Sequence, residues 1–393
     1  MPPHHQIPTG ASFSGRLAIF YAALFIALGV QLPYLPVWLA AKGLDARAIG
    51  VVLALPMVVR VVAIPLATRL ADRFDALRAL ILIAATAAVA AYGALAITEG
   101  FVAIAAAYML ASAAYSPVML LADAYALRGL AELGRAYGPV RLWGSAAFIL
   151  GSFGAGALLD VIAARDLIWL IMGGMGLTLA AAAMLAPLGR RAADPKGPAP
   201  SGRKMLRDPA FLAVIAGASL VQASHAVYYG FSTIAWGAAG LDGKAVGALW
   251  AIGVLAEITL FAISARLPAI CGPTVLLLMG CAGAVVRWSA MAFDPPAAVL
   301  PALQCLHGLS FGATHLGAIG FVARTAPTRL AATAQGYLAV ALGLAMAGAM
   351  GLAGVLYQRY GSLAYAEMAL AAGIGALCAA GGAPTKINQE GPE

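Results

Sequence analysis

Apolar runs of about 20 residues follow one another along the whole chain, each ended by a short break of charged, Pro or Gly residues. A helix of that length matches the hydrocarbon thickness of a bilayer. Twelve such runs are legible: 16–41, 46–69, 76–97, 100–128, 137–163 and 166–189, then 207–237, 243–266, 272–293, 297–323, 329–357 and 361–381. The break "FDPPAAVLP" between the ninth and tenth is long, whereas "ITEGF" between the third and fourth is brief. One connection differs from the rest. "GRRAADPKGPAPSGRKMLRDP", from Gly189 to Pro209, carries six Lys or Arg and is rich in Pro and Gly, which predicts an unstructured linker.

The pattern predicts an all-α polytopic membrane protein with twelve transmembrane helices in two six-helix halves. Its expected parts are a tail at 1–15, a first half at 16–189, a linker at 190–206, a second half at 207–381 and a tail at 382–393. Composition strengthens this reading. The 393 residues are 63% hydrophobic and 10% charged, with a mean hydropathy of +0.91. A soluble chain would carry about 25% charged residues.

The formal charge of +8 needs no nucleic-acid partner. With the N-terminus inside, sixteen basic residues fall in cytoplasmic connections and tails and five in outer loops, the bias expected of an inner-membrane protein. Both termini are then cytoplasmic. "MPPHHQIPTGASFSG" lacks a signal-peptide pattern, and His4 and His5 are expected in a loose tail. Cys271, Cys281, Cys305 and Cys378 lie in apolar segments without metal-ligand spacing, so no metal is expected. Small residues spaced four apart in "GSFGAGALL" and "GLAMAGAMGLAG" predict close helix packing.

Against this background the charges within spans stand out: Arg60, Arg141 and Arg287, and the carboxylates Asp123 and Glu257. Each costs roughly 2.5–3.5 kcal/mol at mid-span on insertion scales, so it persists where it is paired or faces a water-filled path. Asp123 near the inner end of the fourth span and Arg141 near the start of the fifth have similar depth. An ion pair between them is expected, either structural or opened by a competing carboxylate. In the second half Glu257, Arg287 and His307 share the mid-depth zone. The seventh span adds "QASHAVYYGFSTIAW", with His225 and Tyr229 one turn apart beside Tyr228. His315 alone reads as packing. A carboxylate in so apolar a setting is suited to taking up and releasing a proton.

"GLSFG", Gly308 to Gly312, fits G-x-S-x-G, but a nucleophile elbow needs a strand-to-helix turn and this lies in a helical run. No Walker loop or H-E-x-x-H is present.

Two sixes joined by a basic linker resemble the major facilitator superfamily. "TRLADRFDALR" resembles its signature between the second and third spans, with Asp72 and Arg73 retained and the usual glycines replaced by Thr68 and Asp75. "YGPVRLWGSAAFILGS", "SHAVYYGFSTIAW", "VLAEITLFAIS", "VVRWSAM" and "LQCLHGLSFGATHL" resemble the 3-phenylpropionic acid transporter family over essentially the whole chain. Against the more distant lactose permease, Asp123, Arg141, Glu257, Arg287 and His307 match in type. Ser310 stands where that permease has a further acid, and Phe148 where it has a sugar-stacking tryptophan.

The resemblance implies a secondary transporter working by alternating access, its halves rocking around a central cavity. The expected activity is proton symport of a small aromatic or related organic acid such as 3-phenylpropionate. Arg141 or Arg287 would attract the carboxylate, with Arg60 as a further cavity charge. Phe148, Tyr228 and Tyr229, with His225, would line the site. Glu257 assisted by His307 would handle the proton, with Asp123 as the alternative carrier. The only coupling partner implied besides substrate and lipid is the proton, no cofactor is implied, and one chain suffices. The rivals are an exporter of drugs or metabolites and an intramembrane hydrolase.

Overall fold

The computed structural model describes residues 10–189, 202–268, 270–327 and 330–382. Most of the expected linker and tails, with His4, His5, Arg329 and Lys386, lies outside the described residues. Everything described is helix or short connection, with no strand among the described residues. Lipid offers no partner to backbone N–H and C=O groups, so each span satisfies them within itself.

Among the described residues, eleven helical segments are long and apolar enough to cross a bilayer. The last, Thr333–Gly381, has 49 residues. As one helix it would be about 74 Å long, more than twice a hydrocarbon core of roughly 30 Å. It is in fact two helices turned at Gly361, whose φ of +56° favours glycine. Twelve spans result, as the hydrophobic pattern predicts. The brief third break is real as well: Gly100 at φ +78° starts the fourth span.

The chain forms two compact units whose boundary falls inside the seventh and eighth spans. The first contains α1 (Gly10–Ala41), α2 (Ala46–Phe74), α3 (Leu77–Ile97), α4 (Phe101–Glu132), α5 (Gly138–Leu159) and α6 (Leu167–Ala183), with Phe231–Ala251. Here α1 is central, packed along α5 and α6 and burying Phe20, Leu24, Ala27 and Trp38. Glycines make the approach possible. A Cβ on Gly151 would stand 2.6 Å from the Ile26 carbonyl oxygen, and one on Gly174 would stand 2.8 Å from Ala27 Cα. At the end of α2, Asp75 occupies the left-handed region at φ +48°, which explains how it replaces a glycine. Its carboxylate accepts from Arg128 Nη1 at 2.5 Å, tying the end of α2 to α4.

Among the described residues the second unit holds 202–230 and the chain from Ile252 onward. Its helices are α7 (Pro209–Ala223), the start of α8 (Ala226–Ala238), the later part of α9 (Gly243–Ile263), α10 (Pro273–Met291), α11 (Leu300–Cys305), α12 (Thr314–Thr325), α13 (Ala331–Tyr360) and α14 (Ala364–Gly381). Asp208 caps α7 by accepting from the backbone N–H groups of Ala210 and Phe211, with Pro209 as the first helical residue. Two spans are interrupted. The seventh breaks at Ser224 and His225, between α7 and α8. The tenth passes from α11 into a π-helical turn, Gly308–Ala313, before resuming as α12. Such turns are rare and gather at functional positions.

Packing in the first unit sets an expectation. Gly151→Leu drives a side chain into the α1 backbone and lowers stability by about 1–3 kcal/mol or more. Gly154→Leu, where an added Cβ meets nothing within 4 Å, should stay within about 0.5 kcal/mol of the parent. Thermal unfolding of the purified, detergent-solubilised variants measures the difference.

Candidate functional site

The two interruptions in the second unit bring polar side chains together around Arg287 of α10, which is 0% exposed. Its Nη2 donates to Gln304 Oε1 at 2.6 Å. Its Nη1 donates to His307 Nδ1 at 3.0 Å and to Ser310 Oγ at 3.4 Å. The guanidinium carbon lies 4.5 Å from the ring centroids of both Tyr228 and Trp288, a cation held between two aromatic faces. No carboxylate comes within ion-pair distance of it among the described residues, and its Nε has no hydrogen-bond partner there. A buried cation without an adjacent counter-ion is a costly arrangement.

The hydrogen bonds also assign tautomers. Because Arg287 can only donate, His307 Nδ1 is an acceptor and the neutral ring carries its proton on Nε2. That nitrogen faces Glu257 Oε2 of α9 at 3.9 Å. His225 Nδ1 lies 3.2 Å from the carbonyls of Val221 and Gln222, freed where α7 ends, and donates to them. Its Nε2 therefore accepts from Ser310 Oγ at 3.1 Å. Ser310 thus accepts from Arg287 and donates to His225. The rings of His225 and Tyr229 stack at 5.6 Å, and His225 meets His307 edge-on at 5.5 Å. Trp288 Nε1 donates to Ser224 Oγ at 2.8 Å, fixing the broken span against α10.

Glu257, Arg287, His307, His225, Tyr228 and Tyr229 are thus one cluster. Sequence reading overlooked Gln304 and Trp288, and weighed Ser310 as a nucleophile and as the replacement of an acid rather than as a bridge. The signals were present: Gln304 precedes His307 by three residues, and Trp288 follows Arg287 directly. Ser310 Oγ does contact a histidine, but it is 0% exposed in a helical turn and is a bridge between two buried groups.

The first unit departs from expectation. Asp123 and Arg141 do not form an ion pair. Asp123 Oδ1 accepts from the hydroxyls of Tyr21 at 2.6 Å and Tyr137 at 2.8 Å. The Arg141 guanidinium lies over the rings of Phe25 at 4.0 Å and Tyr21 at 5.6 Å. The tyrosines satisfy the acid and the aromatic faces hold the cation, so neither needs the other. Arg60 of α2, for which sequence offered no partner, donates from Nε to Ser116 Oγ of α4 at 3.1 Å, with Met57 Sδ 3.6 Å from Nη1. Phe148 is 6% exposed, and its backbone closes against Gly29 of α1.

Residues 15–366 match the family model described as "MFS_1 like family". The chain is 35% identical over 374 residues to the "Probable 3-phenylpropionic acid transporter" of Escherichia coli (strain K12), covering 91% of this chain and 94% of that one. It is 32% identical to the "Maltose permease" of Geobacillus stearothermophilus over 83% of each chain. Among solved structures it is similar in fold to the nucleoside transporter NupG, with a TM-score of 0.76 at 16% identity, covering 94% of this chain and 98% of that one. A D-xylose–proton symporter gives 0.66 at 14% identity, covering 94% and 97%.

The unbalanced charge on Arg287 predicts the effect of supplying a counter-ion. Gln304→Glu places a carboxylate against Nη2 and should raise the unfolding temperature of the purified protein, whereas Gln304→Leu should lower it. A drop with both substitutions would mean that Arg287 is already compensated.

Proposed function

The chain belongs to the MFS_1 like family and is a multi-pass secondary transporter, not an enzyme, and from that premise we propose that it imports a small aromatic or related organic acid together with a proton. The observation that carries the proposal is the buried Arg287 guanidinium, clasped by Gln304, His307 and Ser310 but with no carboxylate beside it among the described residues. An organic anion supplies the missing charge. The 35% identical relative whose name specifies 3-phenylpropionic acid supports an aryl-propionate as the first substrate to try. Tyr228, Tyr229 and Trp288 present ring surface to an apolar body beside the charge. Entry requires the cluster to open, since Arg287 is fully enclosed here; this is the change that alternating access supplies.

Coupling follows from the same geometry. His307 links the cation to Glu257: Nδ1 accepts from Arg287 and Nε2–H points to the carboxylate. An incoming anion that draws the Arg287 N–H groups toward itself loosens the hold on His307 and alters the setting of Glu257. Protonation of Glu257 and binding of the anion thereby favour each other, the linkage a symporter needs. Asp123, satisfied by two tyrosine hydroxyls, is the less suitable carrier. In this reading the protein sits in the inner membrane with both termini cytoplasmic, in agreement with the basic-residue count, and acts as a single chain.

The decisive experiment is uptake of labelled 3-phenylpropionate into proteoliposomes with and without an inward proton gradient, with labelled maltose as the comparison substrate. Accumulation of the acid that a protonophore abolishes is expected. Glu257→Gln should retain exchange of the acid and lose accumulation against a gradient. If that variant still concentrates substrate, Glu257 does not carry the proton; if maltose alone is taken up, the organic-acid assignment is wrong.

A further inference from the structure

Glu257 has a histidine on either side along the tenth span. His307 Nε2 is 3.9 Å away. In the other direction the Glu257 side chain runs beside Gly312, where a Cβ would stand 3.6 Å from Glu257 Cγ and 3.5 Å from Phe261 Cε1. Phe261, one turn beyond Glu257 on α9, in turn packs its ring 6.2 Å from that of His315. His307, Phe311 and His315 follow at four-residue intervals and their rings form one stack, with centroids 5.3 and 6.0 Å apart and planes within 17° and 8° of each other. The acid thus reaches this face of the tenth span at Gly312.

Beyond the stack His315 borders a partly open cavity of about 140 Å³ within the second unit. Gln222 of α7 and Gln335 of α13 also line it, in a wall otherwise made by residues such as Ile319, Leu338 and Leu342. Neither ring nitrogen of His315 has a hydrogen-bond partner among the described residues. Two carboxamides and an imidazole around so small a space are more polar than packing requires, and burying them dry would be costly. The volume is ample for more than one water.

We propose that His315 receives the proton released by Glu257 and hands it to water in this cavity, on the side toward which α12 runs. This rests on the proton-symport reading above and names the exit step for it. The Glu257 O–H bond breaks and the carboxylate re-forms; water along Gly312 carries the proton to the unprotonated nitrogen of His315. The resulting imidazolium loses a proton from its other nitrogen to cavity water and returns to neutral. His315 stacks on Phe311 and packs against Phe261 of α9, one turn from Glu257; Gln222 of α7 and Gln335 of α13 share its cavity, and His307 lies beyond Phe311. Glu257 is the acid among them. Gln222 and Gln335 orient the water, and Gln222 is itself held by donating to the Phe311 carbonyl at 3.3 Å.

The test compares proton-driven net uptake with substrate exchange in proteoliposomes, using labelled 3-phenylpropionate. His315→Gln should slow net uptake roughly 100-fold, at the low end of what a positioned proton-transfer group contributes, while exchange stays within about twofold and reports intact folding. Gln335→Leu should slow net uptake in the same direction and by less. Net uptake by His315→Gln at the parent rate, with the parent coupled, overturns the exit role and leaves symport standing. Equal loss of exchange and net uptake in His315→Gln makes the residue structural and also overturns it. A parent that shows no proton-driven uptake removes symport and this step together.

Discussion

Everything in this fold follows from the absence of hydrogen-bond partners in lipid. Backbone groups that cannot turn to water must bond within their own span, and a helix is the local solution. The constraint also gives any interruption of a helix a meaning. Where the seventh span breaks, His225 and Ser224 return side-chain bonds to the carbonyls of Val221 and Gln222. Where the tenth widens into a π-helical turn, Ser310 links Arg287 to His225. These two interruptions of spans in the second unit are thus what build the polar cluster.

The units handle intramembrane charge in different ways. In the first, Asp123 of α4 is satisfied by the Tyr21 and Tyr137 hydroxyls and Arg141 of α5 rests on the Phe25 and Tyr21 rings, so both are settled without a direct ion pair. In the second, the charges are joined in series, with Arg287 bonded to His307 and His307 facing Glu257. A series of this kind is responsive: what happens at one end changes the surroundings of the other. It also depends on close packing, with the rings of His307 and Phe311 stacked 5.3 Å apart.

Close backbone approach is the second structural theme. In the first unit Gly151 and Gly174 let α1 lie against α5 and α6; in the second, Gly217 and Gly375 let α7 meet α14, each within 3 Å of the other's carbonyl oxygen when a Cβ is imagined in place. Lipid-exposed helices gain nothing from hiding apolar side chains from lipid, so dispersion at short range must hold them together. The glycines are where that contact is made.

The sequence alone determined the number and order of spans, because apolar run length is a local property measured against a fixed bilayer thickness. It also singled out Arg60, Arg141, Arg287, Asp123 and Glu257, since a charge in such a run is conspicuous wherever the chain goes. It did not determine who meets whom. Asp123 and Arg141 share a depth, yet rotation of the helices gave the acid to Tyr21 and Tyr137 and the cation to Phe25. Gln304 and Trp288 looked like ordinary span residues until helix packing brought them to Arg287, and only that packing made Ser310 a bridge. His315 read as packing because nothing local marks a cavity formed by three helices distant in sequence. Depth is written along one helix and can be read from it; facing is a property of several helices at once, and only their packing decides it.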